Sequence, residues 1–356
     1  MTQNVPIKST KPTSREVIMN VLNGLSIGII VALVPSALLN KILKAIVPIF
    51  PAASSVMALT NAAMVLLPAV SAVCVGMLAH FSPIQTTSLS LAAVMGAGNF
   101  KPGANGFVVS GTGDVINIAI TILIGYLLIL LLGERLKAYT ILLIPMLVLV
   151  IAGGIGSLTL SPVSKITQIL GIGIMQLTNL QPIIMGILLG IIFALLIISP
   201  ISSVGIAAAI NIHGVAAGSA NLGIVAASFA LAIYGWKVNS VGTSLAHFLG
   251  SPKMQMANIM SRPKLMIPIS INAGILGGIG ALFNIQGTAM SAGFGFSGLI
   301  GPLAALDAMG APTFGSVSLI TVLFLVLPII MGLLSHYLFA HKWHFYDATN
   351  FQLNYA

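Results

Sequence analysis

The acids of this chain can be named one by one: Glu16, Asp114, Glu134, Asp307 and Asp347. Around them run long apolar stretches, and only 5% of the 356 residues are charged, where a soluble domain carries about a quarter. A chain so poor in charge cannot cover a water-facing surface. Its 58% of hydrophobic residues and mean hydropathy of +1.10 need lipid around them. The net charge of +9 does not point to nucleic acid. The basic residues stand singly between apolar runs, where they orient helices in a bilayer.

A helix needs about 20 residues to cross the hydrocarbon core. The first run opens on a capping box, Thr13-Ser14-Arg15-Glu16, and continues from Val17 to about Leu39. Further spans are predicted at 53–80, 115–133, 138–159, 181–210, 213–236, 265–284 and 315–338. Two segments rich in small residues, 84–99 and 239–252, are short crossings or re-entrant hairpins. If both cross, the fold is an all-α polytopic membrane protein of about ten transmembrane segments. Both ends then share a side with Lys8, Lys11, Arg15, Arg135, Lys137, Lys253, Arg262, Lys264 and Lys342. Lys41, Lys44, Lys101, Lys165 and Lys237 lie opposite. That bias predicts that both termini are cytoplasmic. The polar start lacks the apolar core of a signal peptide, and the single Cys74 permits no disulfide within the chain.

The two halves resemble each other. Gly24-Leu-Ser-Ile-Gly28-Ile-Ile-Val-Ala32-Leu33 aligns with Gly186-Ile-Leu-Leu-Gly190-Ile-Ile-Phe-Ala194-Leu195. Thr87-Ser-Leu89 aligns with Thr243-Ser-Leu245, Ile116-Asn117 with Ile271-Asn272, and Gly125 with Gly280. Five spans per copy would invert the second copy relative to the first. Inverted repeats place a substrate near the midplane, where broken helices of the two copies meet. The predicted organisation is a cytoplasmic segment 1–16, a first repeat 17–160, an amphipathic connector 161–180, a second repeat 181–340 and a solvated cytoplasmic tail 341–356.

The candidate substrate-binding residues follow from the two short segments. The first contributes Thr86, Thr87, Asn99, Lys101, Asn105, Asp114 and Asn117. The second contributes Thr243, Ser244, His247, Gln255 and Asn258, with His213 from a neighbouring polar cluster. Amides, hydroxyls and open backbone suit a neutral polar solute. Each also has a structural reading: the 96–114 stretch as a surface loop, Asp114 as a helix N-cap, His247 as a buried hydrogen-bonding group. The stretch 286–312 has no counterpart in the first half and reads as a re-entrant loop or gate. Its Gly293-Phe-Gly295-Phe-Ser-Gly298 fits the dinucleotide pattern only literally, because no βαβ unit surrounds it. His336, His341 and His344 lack the carboxylate or thiol company of a metal site. No cofactor is expected, and no carboxylate pair or nucleophile–base spacing points to an enzyme.

The strings TSLSLAAVMGAGNFKPGANGF, INIHGVAAGSANLGIVAASF and GTSLAHFLGSPKMQMANIMSRPKL resemble the EIIC-like membrane domains of the bacterial sugar phosphotransferase system, in its PfoR-type branch. The resemblance implies a permease that binds a sugar and moves it inward and works as a homodimer; either a separate partner carries the phosphoryl group, or this branch transports without phosphorylation. Cys74 lies in an apolar run and cannot serve as that carrier. No residue matches the Glu and His sugar ligands of the better-known EIIC families, so none is carried over. The expected function is a permease for a sugar or other small polar solute by alternating access. The alternatives are a membrane sensor derived from such a domain, or a transporter of a less polar solute such as a lipid or vitamin.

Overall fold

The computed structural model describes residues 12–104, 106–132, 135–136 and 139–353. Helix α1 (Ser14–Ile46) starts where the sequence places it. Thr13 accepts from the Glu16 amide at 3.3 Å, and its own amide donates to the Glu16 carboxylate at 2.6 Å. Helices α2 (Ala53–Val65) and α3 (Leu67–Leu78) form one apolar unit bent by 54°, with Pro68 in the first turn of α3, a place that tolerates its missing N–H. Helix α4 (Pro83–Ala97) is capped by Ser82 and Gln85 and stopped by Gly98 at φ +72°, the left-handed conformation that glycine adopts without penalty.

An antiparallel hairpin follows, β1 (Phe100–Gly103) paired with β2 (Gly106–Val109), and then α5 (Val115–Leu132). Helices α6 (Thr140–Leu147) and α7 (Gly154–Leu177) are joined by a π-helical turn at Val148–Gly153 into one apolar helix, 140–177. The boundary expected at 160 therefore falls inside a helix. The 161–180 connector is its extension, because Pro162 is accommodated without a break.

The second half contains α8 (Pro182–Ile197), the short α9 (Ser203–Ala209), α10 (Gly214–Tyr234), α11 (Val241–Leu249), α12 (Met256–Ser261) and α13 (Met266–Leu282). The chain then turns through α14 (Ala289–Phe294) and α15 (Ile300–Ala308) to α16 (Phe314–Thr321) and α17 (Leu327–His336). Helices α16 and α17 are continuous with flanking π-helical turns and make one span, Phe314–Lys342. Among the described residues, six helices are long and apolar enough to cross a membrane, or seven with the bent α2–α3 pair counted. Helix α4 has 15 residues, α8 has 16 and α11 has 9, all below the length of a full crossing.

Two separate hydrophobic cores organise this all-α membrane fold. One gathers Val17 to Ala152 with Met256, around Leu25, Leu89, Ile118 and Ile122. The other gathers Ile174 to Phe351 around α10, which is 94% buried, against 28% for the lipid-facing helix 140–177. Helices α8, α10 and α13 cross at glycine contacts. A Cβ on Gly223 would stand 2.2 Å from the Gly190 carbonyl oxygen, and one on Gly190 would stand 2.5 Å from that of Ala273. Small residues give such close approach where lipid removes the usual hydrophobic drive between helices.

The last residues are packed where a solvated tail was expected. Phe351 is fully buried, and its ring lies 5.4 Å from Tyr234 and 5.0 Å from Tyr346. Its carbonyl accepts from Gln255 at 2.7 Å and from Asn239 at 2.9 Å. Phe345, Tyr346 and Phe351 supply the apolar contact that holds the strap down.

Candidate functional site

A cavity of about 560 Å³ lies between the two cores. The first half lines it with Ile29 and Leu33 of α1, Met64 and Leu67 at the α2–α3 bend, the turn 111–116, and Ser164, Thr167 and Gln168 of α7. The second half supplies Ile197, residues 202–205 around the start of α9, Gly250, Ser251 and Lys253 after α11, and Met290, Gly293, Phe294 and Ser297 from the 286–312 stretch. Its size is that of a small-molecule pocket, and its walls are apolar with a few convergent polar groups.

Asp114 is the one acid in that wall. Its Oδ1 accepts from the Asn117 amide at 3.0 Å, so it caps α5. The turn before it is set by Gly113 at φ +77°, where a Cβ would meet the Ala97 carbonyl at 2.8 Å. Asp114 N–H donates to that same carbonyl at 2.9 Å. The turn between β2 and α5, which Asn99 also bonds at the Gly111 carbonyl, thus places the carboxylate at the cavity.

Lys253 faces the same space from the other half. It is 6% exposed, and its ammonium donates to the carbonyls of Leu196 (3.4 Å), Ser199 and Ile201 (2.7 Å). These carbonyls lie in the last turn of α8 and just beyond it, where a cation suits the helix terminus. Lys253 therefore fixes the 198–202 turn that brings Ser202 and Ser203 to the cavity.

Residues 19–353 match the family model for the EIIC domain of the phosphotransferase system. The chain belongs to this EIIC family. EIIC domains are the membrane permease part of the sugar phosphotransferase system. No curated protein and no solved structure matches the chain.

Of the residues singled out from the sequence, this EIIC chain brings Asp114 alone to the cavity wall. Thr86 is buried against Gly76, and Thr87 bonds back to Pro83 at 2.8 Å. Asn99 is buried and donates to the Val65 carbonyl at 2.9 Å, while Lys101 is exposed on the hairpin. Asn105 lies outside the described residues. Asn117 is consumed by the first core, bonding Gly96, Gly156 and Thr159. His213 is exposed ahead of α10, its Nδ1 2.8 Å from the Asn211 carbonyl. Thr243 bonds Ser240 at 2.9 Å, and Ser244 is buried beside it.

His247, Gln255 and Asn258 do meet, but away from the cavity. His247 Nε2 lies 3.2 Å from Gln255 Nε2, and Asn258 donates to Gln255 Oε1 at 2.8 Å and to the Gln352 carbonyl at 2.9 Å. The network clamps the C-terminal strap. The side chains of α4 and α11 stay out of the cavity wall, which takes instead the turns that follow those helices.

The missed lining residues had a sequence signal. Ser164, Thr167 and Gln168 follow i, i+3, i+4 spacing, the polar stripe of one helix face. Within a stretch assigned as a connector, that stripe passed for a water-facing surface.

Proposed function

We propose that this chain is a permease domain for a small polar solute, a sugar in the first place, bound in the cavity between the two cores. The observation that carries the reading is a cavity lined from both halves, with Asp114 on one side and the Lys253-fixed turn on the other. The second Asp114 carboxylate oxygen is an acceptor for solute hydroxyls. The hydroxyls of Thr112, Ser164, Thr167, Ser202 and Ser251 both donate and accept, and Gln168 adds an amide. Leu33, Ile29 and Phe294 offer apolar surface for the C–H face of a ring. Water-excluding walls strengthen such polar contacts.

Transport follows as movement of the two cores about the seam. Helix α1 belongs to the first core yet packs on the 252–255 and 297–299 turns and on α12 of the second. The two halves are read as inverted copies with both termini cytoplasmic. A separate phosphoryl-carrying protein would act on the delivered sugar.

A second reading rests on the same wall: Ile29, Leu33, Met64, Leu67, Ile197 and Phe294 also suit a less polar solute such as a vitamin or lipid. A thermal-shift screen of the purified protein against sugars, polyols, vitamins and lipids separates them. A ligand at 100 times its dissociation constant adds about 2.7 kcal/mol. The decisive variant is Asp114→Asn, because asparagine keeps the N-cap while removing the charge. A polar hit lost in Asp114→Asn, with the unliganded melting temperature unchanged, supports the assignment. A polar hit that survives it sinks the proposed role of Asp114, and a hit among apolar compounds alone replaces the first reading by the second.

A further inference from the structure

A second hollow, about 420 Å³, opens where two spans end together. Pro263–Leu282 begins there and Phe314–Lys342 finishes there, so the groove sits at the bilayer edge. Lys264, His341, His344 and Asn350 line it, with Phe345 beneath. The Lys264 ammonium stands 5.7 Å from the centre of the Phe345 ring, which holds the stem of an exposed lysine over the groove. His344 adopts φ +49°, a conformation that costs a non-glycine residue energy and recurs at ligand sites. One acid, Asp347, also lines the groove. Its Oδ1 accepts from both the amide and the hydroxyl of Thr349 at 2.8 Å, and the Thr349 amide holds its carboxyl below the usual carboxylate range. The Asn350 side-chain oxygen accepts from the Asp347 amide at 3.3 Å, so its NH₂ remains as a donor.

The groove thus offers one ammonium, two imidazoles and an amide as donors against one carboxylate, one of whose oxygens is engaged by Thr349. We propose that it binds a phosphate ester, and that the source is the headgroup of an anionic membrane lipid. A multi-oxygen anion matches this donor set, with the lysine acting as a point charge. Tyr337 and Trp343, 60% and 57% exposed at the same end, are placed as interfacial anchors beside the acyl chains of such a lipid. Basic pockets at span ends are a recurring form of headgroup site.

The test uses the full chain in mixed micelles and reads its melting temperature. Phosphatidylglycerol is compared with phosphatidylcholine, and inorganic phosphate is added in a separate phosphatidylcholine arm. The expected result is that phosphatidylglycerol raises the midpoint by roughly 3 °C or more over phosphatidylcholine. Half or more of that increment should vanish in Lys264→Gln/His344→Gln and persist in Lys165→Gln, an exposed lysine of α7 away from the groove. Both substituted residues are exposed, so the variant's midpoint in phosphatidylcholine reports its folding, and Lys264→Gln alone serves if the pair is unstable. An increment kept in full by the double variant overturns the site. No increment with phosphatidylglycerol or phosphate overturns the proposal, and an equal increment with phosphate alone overturns the lipid source.

Discussion

Asn117 and Asn272 hold matching places in the two cores, each inside a helix and each bonded to the last long helix of its own half. Asn117 donates to the Gly156 carbonyl at 2.7 Å and accepts from Thr159 at 2.8 Å; Asn272 donates to the Ser335 hydroxyl at 2.8 Å. The surroundings differ, however. Asn117 also holds the Gly96 carbonyl at the end of α4, whereas the groups around Asn272, Tyr234 and Ser335, bond each other at 2.6 Å. Asn117→Ala should therefore lose about 1–3 kcal/mol, the cost of stranding buried polar groups. Asn272→Ala should lose less, about 0.6 kcal/mol, because its partners stay satisfied without it. Equilibrium unfolding of the two variants in one detergent checks the order; equal losses would show that the two asparagines are interchangeable.

Phe351 anchors the strap from a fully buried position. Phe351→Ala should cost about 3–5 kcal/mol, typical of an emptied aromatic site. Truncation after Asp347 should cost more, since it also strips Gln255 and Asn258 of their carbonyl partners at 2.7 and 2.9 Å. Thermal unfolding reads both. A tail that behaves as a solvated appendage would leave the midpoint unchanged in each.

Much of the framework was written in the sequence, because lipid demands long apolar helices and charged residues punctuate them. Thr13 and Glu16 announced the first helix, and the glycine-rich 96–114 stretch marked backbone that leaves the helix at Gly98, whereas the bend before Pro68 falls inside what reads as one span, 53–80. Less legible were features set by the partner rather than by the segment. Polar residues in a membrane chain can face a cavity or repay one another, and spacing does not tell which. Asn117 and His247 do the second, whereas Ser164, Thr167 and Gln168 do the first. Phe351 looked like a tail residue because its cover, Tyr234 and Gln255, is about a hundred positions away in the chain.

The α8–α10 crossing makes a sharp contrast between two glycines. At Gly223 a methyl group would press to 2.2 Å from the Gly190 carbonyl, while at Gly173 nothing lies within 4 Å. Gly223→Ala should lose about 1–3 kcal/mol by overpacking, or more if the helices must separate. Gly173→Ala should gain about 0.5–1 kcal/mol from helix propensity. Paired melting curves decide it, and a stabilised Gly223→Ala would mean the helices are not in this contact.

Lys253 separates holding the site from touching the solute. All three bonds of its ammonium go to carbonyls of the last turn of α8 and the turn after it, so its charge is spent on holding that turn and not on a ligand. Lys253→Met keeps the apolar stem but leaves those carbonyls without their donor, for a loss of about 2–3 kcal/mol. Because that turn delivers Ser202 and Ser203 to the cavity, the surviving folded protein should also bind its solute more weakly. Asp114→Asn is expected to do the reverse, weakening binding at an unchanged midpoint. If Lys253→Met instead weakens binding without lowering the midpoint, the ammonium contacts the solute directly and its role as a support for the turn is wrong.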